Sequence, residues 1–358
     1  MDLYKSITLK QTTDLIQAVG HKVTVLAQGE MGIGKSSILK TLKERLGDKF
    51  RYCYVDMTTK DVGDFLVPKI RELDGTEVCS FIPNEEFGFH FDKPVVMMMD
   101  EIGKVGKTVL NPCLRLMLER KLGTYSLPEG SIVFATTNLS VEGVGDNLPP
   151  HARNRVTVVK VAKPTAEQWI EDYALDNGIL PEVILAVKQF PQMLASFEDV
   201  QDPKDNEYIN DPRMPRPAFV THRSMETASN LLKDGNGLPD VVISHSLIGT
   251  IGTRATYDMM AMVRMAQDLP PWDKLIKEPD TTPVPTSPSA VCMLVYSAVQ
   301  RIEKDNINAW VKYMNRISKE AQGLFATSVM RTKKASTVGT SKEFIKWATE
   351  NNYLFARA

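Results

Sequence analysis

From residue 22 to residue 161 the chain alternates short apolar runs with stretches of helical periodicity. The runs read "KVTVLAQ", "RYCYVDM", "PVVMMMDE", "SIVFATTN" and "RVTVVKV", each rich in β-favouring residues. Apolar residues at successive positions, rather than alternate ones, suit strands buried on both faces. Such strands separated by helices predict an α/β fold with a five-stranded parallel sheet. The rhythm breaks at "VPKIRELDGTEVCSFIP", where Asp74-Gly75 lies between two short extended segments and favours a type I′ turn. A small β-hairpin is therefore expected near residues 70–80, inserted in the core.

Beyond Pro164 the periodicity becomes helical. Over "TAEQWIEDYALDNG", Thr165 can cap a helix and Gly178 can end it. Further helices are predicted at about 181–196, 221–234 and 239–267. The polar, proline-rich "EDVQDPKDNEYINDPRMPRP" reads as a long exposed loop. A second break, "DLPPWDKLIKEPDTTPVPTSPSA", precedes a final helical segment from about 287. The expected organisation is an α/β core over 1–163, a helical region over 164–270, and a proline-rich linker with a C-terminal helical segment over 271–358.

Composition acts mainly by exclusion. A chain of 358 residues with 43% apolar and 24% charged side chains has material for more than one domain. Lys and Arg total 43 against 44 Asp and Glu, so no global basic field draws the chain onto nucleic acid or anionic lipid. The four cysteines, Cys53, Cys79, Cys113 and Cys292, form no C-x-x-C pair and no zinc-spaced set with histidine, which fits reduced thiols in a cytoplasmic protein. Neither a signal-peptide pattern at "MDLYKSITLK" nor an apolar run long enough to cross a bilayer is present. The histidines His21, His90, His151, His222 and His245 stand apart, and no G-x-S-x-G elbow occurs.

The chemistry begins at "GEMGIGKSS". Gly29, four residues, then Gly34, Lys35 and Ser36 match the phosphate-loop pattern G-x-x-x-x-G-K-[ST], and the match lies between an apolar strand and a helical stretch. Gly29, Glu30, Met31, Gly32, Ile33, Gly34, Lys35, Ser36 and Ser37 are the expected nucleotide contacts. Lys35 would neutralise the β- and γ-phosphates of ATP, and the Ser36 hydroxyl would bind Mg²⁺. At the end of "VVMMMDE", Asp100 can hold Mg²⁺ through its water shell, and Glu101 stands where it can polarise an attacking water. The three methionines read as strand packing. Asn138, at the exit of "SIVFATTN", is either the group that orients that water or a turn residue that closes the strand.

This order of parts resembles the AAA+ ATPases, and within them the MoxR-like branch in a form met in bacterial and phage genomes. The likeness covers roughly residues 10–270 and implies a P-loop AAA+ core, a helical lid and magnesium-dependent ATP hydrolysis. In that family the segment matching "PPHARNRVTVVKV" carries an arginine finger that reaches a neighbouring subunit's nucleotide. Arg155 matches that position, Arg153 is the alternative, and a surface arginine paired with a local carboxylate is the plain one. Arg223 in "FVTHRSMETASNLL" matches the second sensor on the lid helix. The resemblance further implies a homo-oligomeric ring, most often a hexamer, and remodelling or assembly-chaperone work on a protein client. It also implies a partner with a von Willebrand factor A domain, encoded separately.

Two insertions match pore-side positions of that branch: the Asp74-Gly75 hairpin, and "ERKLGTYSLPEG" before the asparagine strand. Phe65 and Leu66, just before the hairpin, are either client-gripping residues or packing beneath it. Two other functions share the same pocket. One is a DNA-acting ATPase such as a helicase loader or origin remodeller, favoured by the C-terminal stretch from Val311, which has an excess of roughly six positive charges. The other is a switch in which ATP controls assembly.

Overall fold

A computed structural model of the chain describes residues 5–139 and 149–355. His151 lies on a described helix turn, but its side chain is outside the described set. The chain divides into two compact units, Met1–Lys163 and Pro164–Ala358.

In the first unit the elements run α1 (Leu9–Val19), β1 (Val25–Gln28), α2 (Ser37–Leu46), β2 (Arg51–Asp56), β3 (Leu66–Leu73), β4 (Thr76–Pro83), β5 (Val95–Asp100) and α3 (Lys107–Glu119). They continue as β6 (Lys121–Leu122), β7 (Tyr125–Ser126), β8 (Ile132–Thr137), α4 (Pro150–Arg153) and β9 (Thr157–Lys160). The five apolar runs form one sheet in the order β2-β5-β8-β1-β9, with every neighbouring pair parallel. This is an α/β phosphate-loop fold, with β1 in the interior and β8 separating it from β5.

Both faces of the sheet are covered, which is why its strands are apolar at successive positions. Val25, Ala27, Val96, Met98 and Phe134 pack on one side with Ile16 of α1 and Ile38 and Leu42 of α2. Leu26, Val55, Met97, Met99 and Ala135 pack on the other with Leu110, Leu114 and Met117 of α3. The methionines of β5 thus divide between the two cores. Cys53 and Cys113 are buried there too, and burial pushes their thiols up to about 11 and about 12, so they stay protonated at neutral pH.

At the end of α3, Arg120 holds a left-handed conformation, φ 58°, and its guanidinium donates to Thr24 Oγ1 at 2.9 Å, to the Gly20 carbonyl at 2.9 Å and to the Met117 carbonyl. It ties the start of β1 to α3, and burial lowers its pKa to about 10.

Two antiparallel hairpins leave the sheet, β3-β4 and β6-β7. The first turns at Asp74 (φ 50°) and Gly75 (φ 77°), both left-handed as a type I′ turn demands. Its register pairs Ile70 with Cys79 and Pro68 with Phe81, and Val67, Ile70, Leu73 and Phe81 are exposed. Phe65 is different: it is 1% exposed, stacks on Phe87 with ring centroids 5.1 Å apart, and belongs to the α3-side core. Leu66 packs against the same cluster. Of the two alternatives for this pair, packing beneath the hairpin is the one observed.

The second unit is helical: α5 (Ala166–Trp169), α6 (Pro181–Gln189), α7 (His222–Asp234), α8 (Asp240–Ile251), α9 (Thr253–Gln267), α10 (Trp272–Lys277), α11 (Pro288–Arg301), α12 (Ile307–Met314), α13 (Lys319–Met330), α14 (Ala335–Val338) and α15 (Lys342–Glu350). Thr165 caps α5 through a capping box with Gln168, and the helix runs on into a π-helical turn at Ile170–Ala174.

Three expectations need correction. The helix predicted to reach residue 196 ends at Gln189, because Pro191 supplies no N–H to continue it. The single helix over 239–267 is two, divided at Gly252, whose φ of 82° and closeness to the Ala218 carbonyl leave no room for a side chain. The long loop is not wholly exposed: Asn206, Tyr208, Ile209 and Asp211 are buried, and the Arg213 guanidinium holds the Asp211 carboxyl below the usual carboxylate range.

The proline-rich stretch 271–287 is packed onto the C-terminal helices. Leu275 is buried, Tyr313 donates to the Pro283 carbonyl at 2.9 Å, and Arg316 donates to the Pro279 and Thr282 carbonyls at 2.6 and 2.8 Å. A cluster of Trp310, Tyr313, Phe325, Phe344 and Trp347 forms the centre of the C-terminal helices. Among the described residues no helix is long and apolar enough to cross a membrane.

Candidate active site

Parallel strands present their carboxyl ends at one edge of the sheet, where the chain turns and open sites form. There Gly29 donates its N–H to the Thr137 carbonyl at 3.2 Å, so the phosphate loop starts out tied to β8. A Cβ on Gly29 would lie 2.7 Å from Ile33 Cδ1 and 3.1 Å from the Val161 carbonyl oxygen, a tight fit that Ile33 would have to shift to relieve, whereas Gly32 and Gly34 hold left-handed φ values of 72° and 97°. Ile33 is 2% exposed and packs on the α1 and α2 side, leaving only its backbone to the loop. Ser37 closes the loop by donating to the Gly34 carbonyl at 2.7 Å. The first turn of α2 follows, and its unpaired N–H groups favour an anion at that end.

Lys35 is buried and uses all three donors of its ammonium: the Gly29 and Glu30 carbonyls, each at 2.8 Å, and Asn138 Oδ1 at 2.7 Å. Only the oxygen of an amide can face an ammonium, so Asn138 is oriented by Lys35 and its NH₂ points elsewhere. The phosphate-loop lysine and the strand-exit asparagine, far apart in sequence, are direct partners.

Asp100, 8% exposed at the end of β5, is surrounded by donors. Its Oδ1 accepts from the Thr136 hydroxyl and from the Glu101 N–H at 3.1 Å; its Oδ2 accepts from Tyr54 OH at 2.9 Å and faces Ser36 Oγ at 3.4 Å. The register explains Thr136: Met99 pairs with Ala135, so the next residues of β5 and β8 lie side by side. Glu101 then takes a left-handed conformation, φ 58° and ψ 35°, which costs a non-glycine residue on the order of 1–3 kcal/mol and is tolerated where the surroundings over-determine it. Its carboxylate Oε2 lies 3.0 Å from Lys104 Nζ.

The donor set fits a magnesium nucleotide. Ser36 and Asp100 offer facing hard oxygens of the kind Mg²⁺ prefers, and Lys35 holds in place, by carbonyl and amide acceptors, the charge that a terminal phosphate needs. Glu30 of the loop has its own buried partner, Lys163, at 3.0 Å.

Arg153, at the end of α4, and Arg155, two residues on, are both exposed. Arg223 is exposed on the first turn of α7, in the helical unit. The structure therefore brings Lys35, Ser36, Asp100, Glu101 and Asn138 to one edge of the sheet. Beside Arg223, His222 is buried with Nε2 3.1 Å from the Pro164 carbonyl, which makes it an anchor for the start of that unit.

Three contributors escaped the sequence reading. Thr136 sits in "SIVFATTN" two residues before Asn138, and strand adjacency to β5 is what gives it a role. Tyr54 reads in sequence as an ordinary β-former. Lys163 lies at the end of the core with no motif around it; only its burial against Glu30 marks it.

No family model matches the chain, and no curated protein matches it. Among solved structures, NtrX from Brucella abortus in complex with ATP is 12% identical, with 99% of this chain and 70% of that one covered at a TM-score of 0.37. A RuvB variant from Thermotoga maritima is 14% identical, with 75% of each chain covered at a TM-score of 0.34. The fold assignment rests on the strand order and the loop geometry above.

Proposed function

We propose that the chain is a magnesium-dependent ATP hydrolase of the AAA+ type, similar to the MoxR-like branch, that works as a ring and remodels or assembles a protein client. One observation carries the hydrolase reading: three separate segments converge so that Lys35 meets Asn138 and Ser36 faces Asp100, with Glu101 next in line. When bound, Mg²⁺ at Ser36 and Asp100 would neutralise charge on the β- and γ-phosphates. Lys35 exchanges its carbonyl acceptors for phosphate oxygens. Asn138, released from Lys35, turns its amide toward the space beside the terminal phosphate. Glu101 leaves Lys104 and accepts a proton from the attacking water.

The exposed placement of Arg153 and Arg155 supports a finger supplied to a neighbouring subunit. If so, an isolated chain is an incomplete enzyme. ATP hydrolysis per chain should rise several-fold with protein concentration, in step with a ring-sized particle in light scattering. A monomer whose specific activity is constant with dilution sinks the ring.

A protein client is favoured over DNA by the pairing of the basic C-terminal stretch. Arg331 pairs with Glu171 and Lys334 with Glu303, two acidic partners from outside the stretch that lower the positive excess a phosphate backbone would meet. Val67, Ile70, Leu73 and Phe81 of the β3-β4 hairpin are exposed apolar residues that a client can engage. Ile70→Ser with Phe81→Ser should leave the stability of the core within about 0.5 kcal/mol and basal ATP hydrolysis unchanged, because both side chains are exposed. Client-stimulated hydrolysis should be lost, and its persistence in the double variant would rule the hairpin out. A von Willebrand factor A domain protein is the partner class to test first.

A further inference from the structure

The four donors around Asp100 are divided unequally in kind. Oδ1 is held by the Thr136 hydroxyl and the Glu101 backbone, both parts of the sheet edge itself. Oδ2, the oxygen that faces Ser36, is held at 2.9 Å by the phenol of Tyr54. Tyr54 lies on β2 opposite Met98 and its side chain is half exposed, so packing alone does not require the hydroxyl to be there. A carboxylate oxygen has two in-plane lone pairs. With Ser36 and Tyr54 on it, Oδ2 has none left for another donor.

We infer that the Tyr54 hydroxyl is a placeholder for the hydration shell of the divalent cation: it occupies Oδ2 when the site holds no cation, and gives way when a hydrated cation is bound at Ser36 and Asp100. This rests on the magnesium-nucleotide reading above and adds to it a positioning residue, acting through Asp100, that sets how tightly the cation is held. The sign follows from what each donor leaves behind. Without the phenol hydroxyl, Thr136 and the Glu101 N–H still orient the carboxylate, which has lost a competitor and gained acceptor strength. Cation binding therefore tightens. Without the Thr136 hydroxyl the cation-facing oxygen keeps its competitor while the carboxylate loses an orienting bond, and binding weakens.

Mn²⁺ is the probe. The full chain with a non-hydrolysable ATP analogue is titrated with Mn²⁺, and the free ion is followed by electron paramagnetic resonance. Tyr54→Phe should lower the Kd for Mn²⁺ by about threefold to tenfold, the range expected for one net hydrogen bond. Thr136→Val should raise it. An unchanged or higher Kd in Tyr54→Phe, or a shift in the same direction in both variants, overturns the inference and leaves the nucleotide reading intact. Wild-type chain that binds the analogue but holds no Mn²⁺ with it overturns both.

Discussion

Lys35→Ala should abolish nucleotide binding while the chain stays folded. The ammonium makes three charge-assisted hydrogen bonds within the site, to two carbonyls and to Asn138, and the same three donors are the ones available to phosphate oxygens. Hydrogen bonds to charged groups contribute about 1.5–3 kcal/mol each, so losing two of them on phosphate weakens binding by roughly 10²–10⁴-fold. The fold should suffer far less. Lys35 is not part of a hydrophobic core, and the polar space its side chain vacates can admit water to the freed carbonyls. Isothermal titration with ATP and Mg²⁺ measures the first effect, and urea unfolding the second. Wild-type affinity in the alanine variant would refute the assignment of this loop. Unfolding of the variant would instead show that Lys35 is a structural strut, and Lys35→Arg would then separate the roles, since it keeps a cation but not the geometry of three converging bonds.

Glu101→Gln should separate binding from chemistry. A positioned general base contributes typically about 10²–10⁴-fold, and an amide cannot take the proton. ATP hydrolysis should fall by that order while ATP affinity holds, because the phosphate contacts belong to Lys35, Ser36 and the loop. The side chain's partner in the absence of nucleotide is Lys104, and that partly exposed pair is worth little, about 0–1 kcal/mol. Glutamine fills the same left-handed position at the same backbone cost, so stability should barely change. Phosphate release under single-turnover conditions decides the point. The ATP-bound variant is also the form in which a ring and a trapped client would co-purify. Undiminished hydrolysis would move the base to another residue.

Much of the first unit was legible because it depends on short-range pattern. The five sheet strands appear where the apolar runs lie, and the hairpin turn falls on Asp74-Gly75 because few dipeptides accept two left-handed residues in succession. Capping by Thr165 follows the same logic. The helical unit was less legible. Gly252 lies in an apolar stretch that reads as one continuous helix, and only the approach of the Ala218 carbonyl makes it a break. Tyr208 and Asp211 sit in a polar, proline-rich stretch, yet they are buried because Asp258 and Arg213 satisfy them.

By itself the sequence determined that there is an α/β core, that it carries a phosphate loop, and that a carboxylate pair and an asparagine end two of its strands. Each of these is written in consecutive residues, where periodicity and spacing act directly on the backbone. Only the tertiary structure decided which side chains meet: Asn138 on Lys35, Tyr54 and Thr136 on Asp100, Lys163 on Glu30, and Phe65 turned inward onto Phe87. The reason is the strand order. Placing β8 between β1 and β5 brings residues from distant parts of the chain to one edge, and that adjacency depends on how whole faces of the sheet are covered by helices. Local pattern carries no record of it.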